Sequence, residues 1–253
     1  MTGDTVSEKL RVVIVDDEAP ARSLLREYLS VFPDVEIVAE CANGFEAVNA
    51  VEEAAPALLL LDVQMPGLSG FEVLELLGCE VAVVFVTAYD EFAVRAFEVH
   101  AVDYLLKPFS QERLGQALYR ARQRVGRPPE AGPEKLAAAA RPPGTWPARL
   151  VAREGGRVHV IPVDALDLVE ARDDYVCLRS EGREVLKQQT LTELAALLDP
   201  TRFVRVHRSF IVNVAKIARV ECYAKDSRLA VLQDGTKVPI SRAGYAALRE
   251  RLK

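Results

Sequence analysis

No apolar run in this chain approaches the length of a bilayer span, which excludes an ordinary transmembrane helix. The opening residues, MTGDTVSEKL, lack the charged-then-apolar layout of a secretory signal. The cytoplasm is therefore the expected compartment, and no membrane is expected as a partner. Cysteine is scarce. Cys41, Cys79, Cys177 and Cys222 lie far apart with no CxxC pair, and they read as small buried thiols of a reducing compartment. The three histidines, His100, His159 and His207, are equally scattered, so no metal-ligand spacing emerges from them. There is no Gly-rich phosphate loop, so a nucleotide donor is not implied. No internal repeat is visible either.

What is present is a chain of 253 residues, half of them apolar, with charges well mixed along it. That suits one or two globular domains. The net charge of −5 conceals an asymmetry. Residues 1–125 carry 10 Lys/Arg against 21 Asp/Glu, a net of −11. Residues 126–147 carry 3 against 2, a net of +1, and residues 148–253 carry 19 against 14, a net of +5. An acidic half joined to a mildly basic one suggests two tasks, with a polyanion as a plausible partner of the second.

The first half alternates short apolar runs with helical patterns. RVVIV (11–15), VEIVAE (35–40), ALLLL (57–61), VAVVFV (81–86) and VDYLL (102–106) read as strands. Ala19–Ser30, Phe45–Glu53, Gly70–Leu77, Phe92–Val99 and Gln111–Arg124 read as helices. Five strands alternating with five helices predict a parallel sheet wrapped on both faces, and strands that are apolar throughout agree with burial on both sides. A ligand site is then expected beyond the carboxyl ends of the strands. Residues 126–147, rich in Pro, Ala and Gly, read as a linker, since two Pro-Pro pairs prevent a continuous helix. From Ala148 onward, short β-type segments are separated by hairpin signals at EGGR (154–157), SEGR (180–183) and QDGT (233–236). One helix is expected at Leu191–Leu198, with Thr190 and Glu193 in capping-box relation.

RVVIVDDE (11–18) ends in three consecutive carboxylates, which repel one another and need a counter-charge. Asp16 and Asp17 follow the first strand and Asp62 follows the third. If those strands are adjacent, all three acids meet at one edge. Hard oxygen ligands of this kind suit Mg²⁺, which uses few protein carboxylates and keeps several waters. Thr87 ends the fourth strand, and Lys107 with Pro108 follows the fifth. The set fits phosphoryl transfer to a carboxylate: Asp62 as nucleophile, Lys107 and the metal neutralising charge, Thr87 donating a hydrogen bond. Singly, each has a plainer reading. Asp16–Asp17 could be a solvated turn, Thr87 a strand end, Lys107 a surface lysine and Tyr104 a core residue. Glu18 reads as a helix-start acid.

The pieces VDDE (15–18), LLLLDVQMPGLSG (58–70), FVTAYDEFAVRAF (85–97) and AVDYLLKPF (101–109) occur in order and on the expected strand ends. Through them, residues 10–125 resemble the receiver domain of bacterial response regulators. The resemblance implies a flavodoxin-like, doubly wound, five-stranded parallel α/β fold and phosphorylation of Asp62 by a sensor histidine kinase. It also implies Mg²⁺ held by Asp17, Asp62 and the backbone carbonyl of Gln64, with Asp16 acting through water. A cis Lys107–Pro108 bond and a switch pair, Thr87 and Tyr104, are implied in the same way. Gln64 and Tyr89 would tune dephosphorylation. The spacing from Asp62 to Thr87 is short for such domains and leaves little room between Gly70 and the fourth strand.

In the basic half the informative stretch is FVRVHRSFIVN (203–213). Val204, Val206, Phe210 and Val212 could face a core, but alternation breaks at HRS, which reads as a turn or short helical loop open to a partner. VHRSFIVN (206–213), KIARVE (216–221) and DGTKVPISR (234–242) make residues 148–253 resemble the LytTR-type DNA-binding domain. That implies a small, elongated, mainly β domain that sets loops into successive major grooves of promoter DNA. By this resemblance Arg172, Asp173, His207, Arg208, Ser209 and Arg242 are candidate DNA contacts, with Lys225 and Arg228 as phosphate contacts. A structural hydrogen-bonding role for His207, a local cap for Ser209 and a solvated arginine for Arg172 are the alternative readings. Asn213 reads as structural, and Trp146 as packing at the domain entrance.

The combined expectation is a receiver domain (10–125), a linker (126–147) and a LytTR-type domain (148–253). Together they would form a response regulator whose phosphorylation drives homodimer formation on imperfect direct repeats of double-stranded DNA. Receiver self-phosphorylation and dephosphorylation aside, no enzyme activity is expected. Two other readings stay open at this point: a phosphorylation-switched protein-interaction module without DNA binding, and an enzyme with an aspartyl-phosphate intermediate.

Overall fold

A computed structural model describes residues 9–77, 81–89, 101–125, 146–224 and 227–251. They divide into two compact units, one on each side of residue 142.

In the first unit, β1 (Leu10–Val15), β2 (Val35–Cys41), β3 (Leu58–Leu61), β4 (Ala82–Thr87) and β5 (Asp103–Leu106) form one sheet in the order β2-β1-β3-β4-β5. Every pairing is parallel. The helices described are α1 (Ala19–Leu29), α2 (Gly44–Ala54), α3 (Gly70–Leu77) and α4 (Gln111–Arg124). The expected helix Phe92–Val99 lies outside the described residues. Alternate strand residues serve opposite faces, as the two-residue period of a strand requires. Val12, Ile14, Leu58, Leu60, Val84, Val86 and Leu105 pack with Leu25, Leu29, Leu114 and Leu118 of α1 and α4. On the other face, Phe71 of α3 packs on Phe85, with ring centroids 4.9 Å apart. Helix starts are fixed locally. The Asn43 side chain accepts from the Glu46 N–H and the Ser110 side chain from the Arg113 N–H, satisfying donors the helix itself cannot.

The second unit is antiparallel. β6 (Arg149–Glu154) and β7 (Arg157–Pro162) form a hairpin. A five-stranded sheet runs β10-β9-β8-β12-β11, built from β8 (Leu166–Arg172), β9 (Tyr175–Ser180), β10 (Arg183–Lys187), β11 (Phe203–His207) and β12 (Phe210–Asn213). A three-stranded sheet runs β13 (Ile217–Ala224), β14 (Ser227–Leu232), β15 (Lys237–Ile240). The turns at Gly155–Gly156 and Glu181–Gly182 hold both residues at positive φ, which suits the tight hairpin connection. One face of the five-stranded sheet buries Leu166, Val169, Val176 and Leu178 against α5 (Leu191–Leu197) and the β6–β7 hairpin. The other buries Leu168, Val204, Val206 and Val212 against the three-stranded sheet and α6 (Arg242–Arg251). α5 begins with both bonds of the Thr190/Glu193 capping box.

Four expectations need correction. Cys222, expected as a buried thiol, is exposed. α6 was not anticipated: its sequence, RAGYAALRER, buries only Gly244 and Leu248, too thin a stripe to show as a helical pattern. Of HRS, expected as a turn or short helical loop, only part forms a turn. His207 ends β11 and pairs with Phe210, so only Arg208 and Ser209 form the turn. The strand register shifts between Arg205 and His207, which marks a bulge within β11. The turn accounts for Arg208 and Ser209 following His207 as polar residues, with no helical loop. Trp146 remains 41% exposed and is not a packed entrance residue. Asn213, read as structural, is buried and bonds the Leu166 carbonyl and the Ala215 N–H.

Candidate functional site

Because β1 lies between β2 and β3, Val15 and Leu61 are register partners, and the residues that follow them, Asp16 and Asp62, leave the sheet side by side. β4 ends on Thr87, beside Leu106 of β5, so Lys107 reaches the same edge. Carboxylate oxygens of Asp16, Asp17 and Asp62 lie within 4.8 Å of one another. Lys107 Nζ donates to Asp16 Oδ2 at 2.6 Å and to Asp62 Oδ2 at 2.9 Å. Asp16 is fully buried, and its Oδ1 accepts from the Glu18 N–H. Asp17 is exposed and Asp62 is buried. Burial pushes the Asp16 carboxyl up, against the hydrogen bond from Lys107. Burial also opposes the charge on Lys107, but Asp16 and Asp62 outweigh it and hold the ammonium above its ordinary range.

Thr87 Oγ1 is buried with no hydrogen-bond partner. A buried hydroxyl left unpaired is uncommon and calls for an explanation. Tyr104 is also buried, and its phenol donates to the Tyr89 carbonyl. The Lys107–Pro108 bond is cis. The loop after β3 is closed on itself: the Gly70 N–H donates to the Val63 carbonyl, and a Cβ at Gly70 would strike the Asp62 carbonyl. Three hard oxygen donors at neighbouring strand tips, beside an unpaired hydroxyl, fit a hydrated Mg²⁺ and an incoming anion. One participant escaped the sequence reading. Arg22 Nη1 donates to the Asp16 and Asp17 carbonyls at 2.8 and 3.2 Å, holding the acidic turn by its backbone. Its place one turn into α1 was the available signal.

In the second unit, most of the candidate DNA contacts converge. The Ala171 N–H donates to the Ser209 carbonyl, so the Asp173–Asp174 turn after β8 lies beside the Arg208–Ser209 turn. The Ser241 N–H and hydroxyl both donate to the Val206 carbonyl. The same hydroxyl accepts from the Gly244 N–H, which sets the start of α6 and Arg242 against the end of β11. Gly244 permits this approach, since a Cβ there would run into the Val206 backbone. Arg228 pairs with Ile240 one strand away. Lys225 lies outside the described residues. His207 Nδ1 accepts from the Ser209 N–H at 3.3 Å. Arg208 is exposed. Arg172, by contrast, is held by Glu170 and Glu184, both at 3.0 Å.

Residues 12–119 match the response regulator receiver domain family, and residues 156–253 match the LytTr DNA-binding domain family. Over 247 residues the chain is 38% identical to the transcriptional regulatory protein BtsR of Salmonella typhi, covering 96% of this chain and 99% of that protein. The response regulator domain of Thermotoga maritima CheB covers 48% of this chain and 99% of its own length at 28% identity, with a TM-score of 0.43. A LytTr DNA-binding domain from Bacillus cereus covers 42% and 97% at 25% identity, with a TM-score of 0.40. With two successive family matches and a relative aligned from end to end, the chain belongs to the two-component response regulators that join a receiver domain to a LytTR DNA-binding domain.

Proposed function

We propose that Asp62 accepts a phosphoryl group from a sensor histidine kinase and that this modification controls promoter binding by the C-terminal unit. The observation that carries the reading is the meeting of Asp16, Asp17, Asp62 and Lys107 at one sheet edge. A carboxylate oxygen of Asp62 attacks phosphorus as the bond to the donor's imidazole breaks, giving an acyl phosphate. Asp17, Asp62 and the Gln64 carbonyl would hold Mg²⁺, with Asp16 acting through water; the ion, when bound, neutralises charge on the phosphoryl oxygens. The Lys107 ammonium sits where a second such oxygen arrives. Thr87 supplies the hydroxyl that now lacks a partner. Its movement toward the phosphoryl group would free space for Tyr104, making Thr87 and Tyr104 the switch.

The receiver face that includes α4 would then pair two copies as a homodimer on direct repeats. Pairing raises the effective concentration of the second DNA-binding unit at its site, so a modest change in self-association alters occupancy. Arg208, Ser209, His207 and Arg242 form the proposed base-reading edge, with Arg172 and Asp173 as further proposed DNA contacts and Lys225 and Arg228 as proposed phosphate contacts. Arginine suits both guanine edges and phosphate forks. The cytoplasm, where kinase and promoter are both accessible, is the proposed site of action. No turnover of a separate substrate is proposed.

The test is an Asp62→Asn chain incubated with acetyl phosphate and Mg²⁺. Loss of acid-labile phosphate, together with loss of phosphorylation-dependent DNA retention, is the expected result. A label that persists moves the acceptor elsewhere, and DNA retention indifferent to salt removes the phosphate-contact reading.

A further inference from the structure

Among the arginines of the second unit, Arg172, Arg179, Arg202 and Arg219 are each held by a carboxylate. Arg228 is held differently. Its guanidinium carbon lies 4.1 Å from the centroid of the Tyr245 ring, within cation–π range. Among the described residues it has no carboxylate partner, and its Nε is buried without a hydrogen-bond partner. An arginine kept only for folding would be expected to satisfy that donor. Tyr245 lies on the first turn of α6, three residues after Arg242, while Arg228 pairs with Ile240 in the adjacent strand. The stacked pair therefore belongs to the same edge as Arg208 and Arg242.

We propose that Tyr245 is a positioning residue for DNA recognition: its ring fixes the Arg228 guanidinium so that the Nη edge meets a backbone phosphate. The inference rests on the reading of Arg228 as a DNA contact. Burial of Nε leaves the Nη end as the usable fork, and two parallel N–H groups match two phosphate oxygens. Arginine is flexible, and a guanidinium already flattened on a ring loses less freedom when the phosphate arrives. Tyr245 itself needs no contact with DNA.

The experiment measures binding of the full-length chain to a fluorescent duplex that the wild type selects from a random-sequence pool, across a salt series. Arg228→Ala should weaken binding about tenfold and reduce the salt slope by about one. Tyr245→Leu and Tyr245→Met, which remove the ring face but keep an apolar body, should reproduce both changes. Tyr245→Phe should bind as the wild type does. The double variant Arg228→Ala/Tyr245→Leu should be no weaker than Arg228→Ala alone, because the two act as one unit. Additive losses, or a salt slope unchanged in both Tyr245→Leu and Tyr245→Met while Arg228→Ala lowers it, would overturn the positioning role. An Arg228→Ala chain that binds normally would instead overturn the underlying reading of Arg228. Thermal melts of each variant separate these outcomes from unfolding, and Tyr245→Phe keeps the core contact of the ring.

Discussion

From the tip of β5, Lys107 donates to Asp16, fully buried at the tip of β1, over 2.6 Å. The pair joins chain ends of the receiver that are 91 residues apart. Removing one member of such a buried pair leaves the other charge uncompensated. Lys107→Met should therefore lower receiver stability by about 3 kcal/mol in magnesium-free urea unfolding. Millimolar Mg²⁺ should restore more stability to the variant than it adds to the wild type, because ligand binding to the folded state alone stabilises it. No Mg²⁺ effect on either chain would contradict the cation site.

Thr87 offers the opposite case. Its hydroxyl is buried and unpaired in this state, so replacing it by an apolar group of like shape removes a desolvation cost. Thr87→Val should leave the unmodified receiver as stable or up to about 1 kcal/mol more stable. The same variant should still accept phosphate on Asp62 but lose the gain in DNA binding. Urea unfolding and a gel shift with acetyl phosphate check the two halves.

Asp103 supplies a pH test away from the acidic cluster. Burial raises its carboxyl, but bidentate Arg113 and a bond from Arg120 outweigh that, and the carboxyl ends below its ordinary range. A depressed folded-state value means stability that is present above the unfolded value of about 4 and lost as pH falls through the folded one. Asp103→Asn should cost about 1–3 kcal/mol at neutral pH. The gap to wild type should narrow below about pH 4. A gap that widens on acidification would reverse the assignment.

Arg172 and Arg208 should separate under mutation. Arg208 is exposed at its turn, whereas Arg172 is engaged by Glu170 and Glu184. Arg208→Ala should weaken specific binding by about 1–3 kcal/mol, and Arg172→Ala by less, because its ion pairs must be broken before it can reach DNA. Fluorescence anisotropy with one duplex compares them directly, and equal losses would show that Arg172 is free in the complex.

The sheet of the receiver was legible because its central strands β1, β3 and β4 are almost wholly apolar and buried, and the acidic cluster because it depends only on which residue follows each strand. Gly70–Leu77 and Gln111–Arg124 carried clear helical patterns and have those bounds in the structure. Contacts between distant residues left no such trace. Nothing in the sequence ties Arg228 to Tyr245, since that contact depends on the packing of α6 against β14. The bulge in β11 was hidden for the same reason: a register shift is a property of two strands. α6 was missed because its buried stripe is two residues wide.

The placement of Lys107 has a further consequence during synthesis. The acids of β1 and β3 emerge from the ribosome well before the lysine that balances them, and β5 must dock beside β4 before the ammonium can reach Asp16. A nascent or truncated chain ending ahead of residue 107 would carry the acids without their counter-ion. In the folded receiver the last strand of the sheet thus delivers the ammonium that bonds both Asp16 and Asp62.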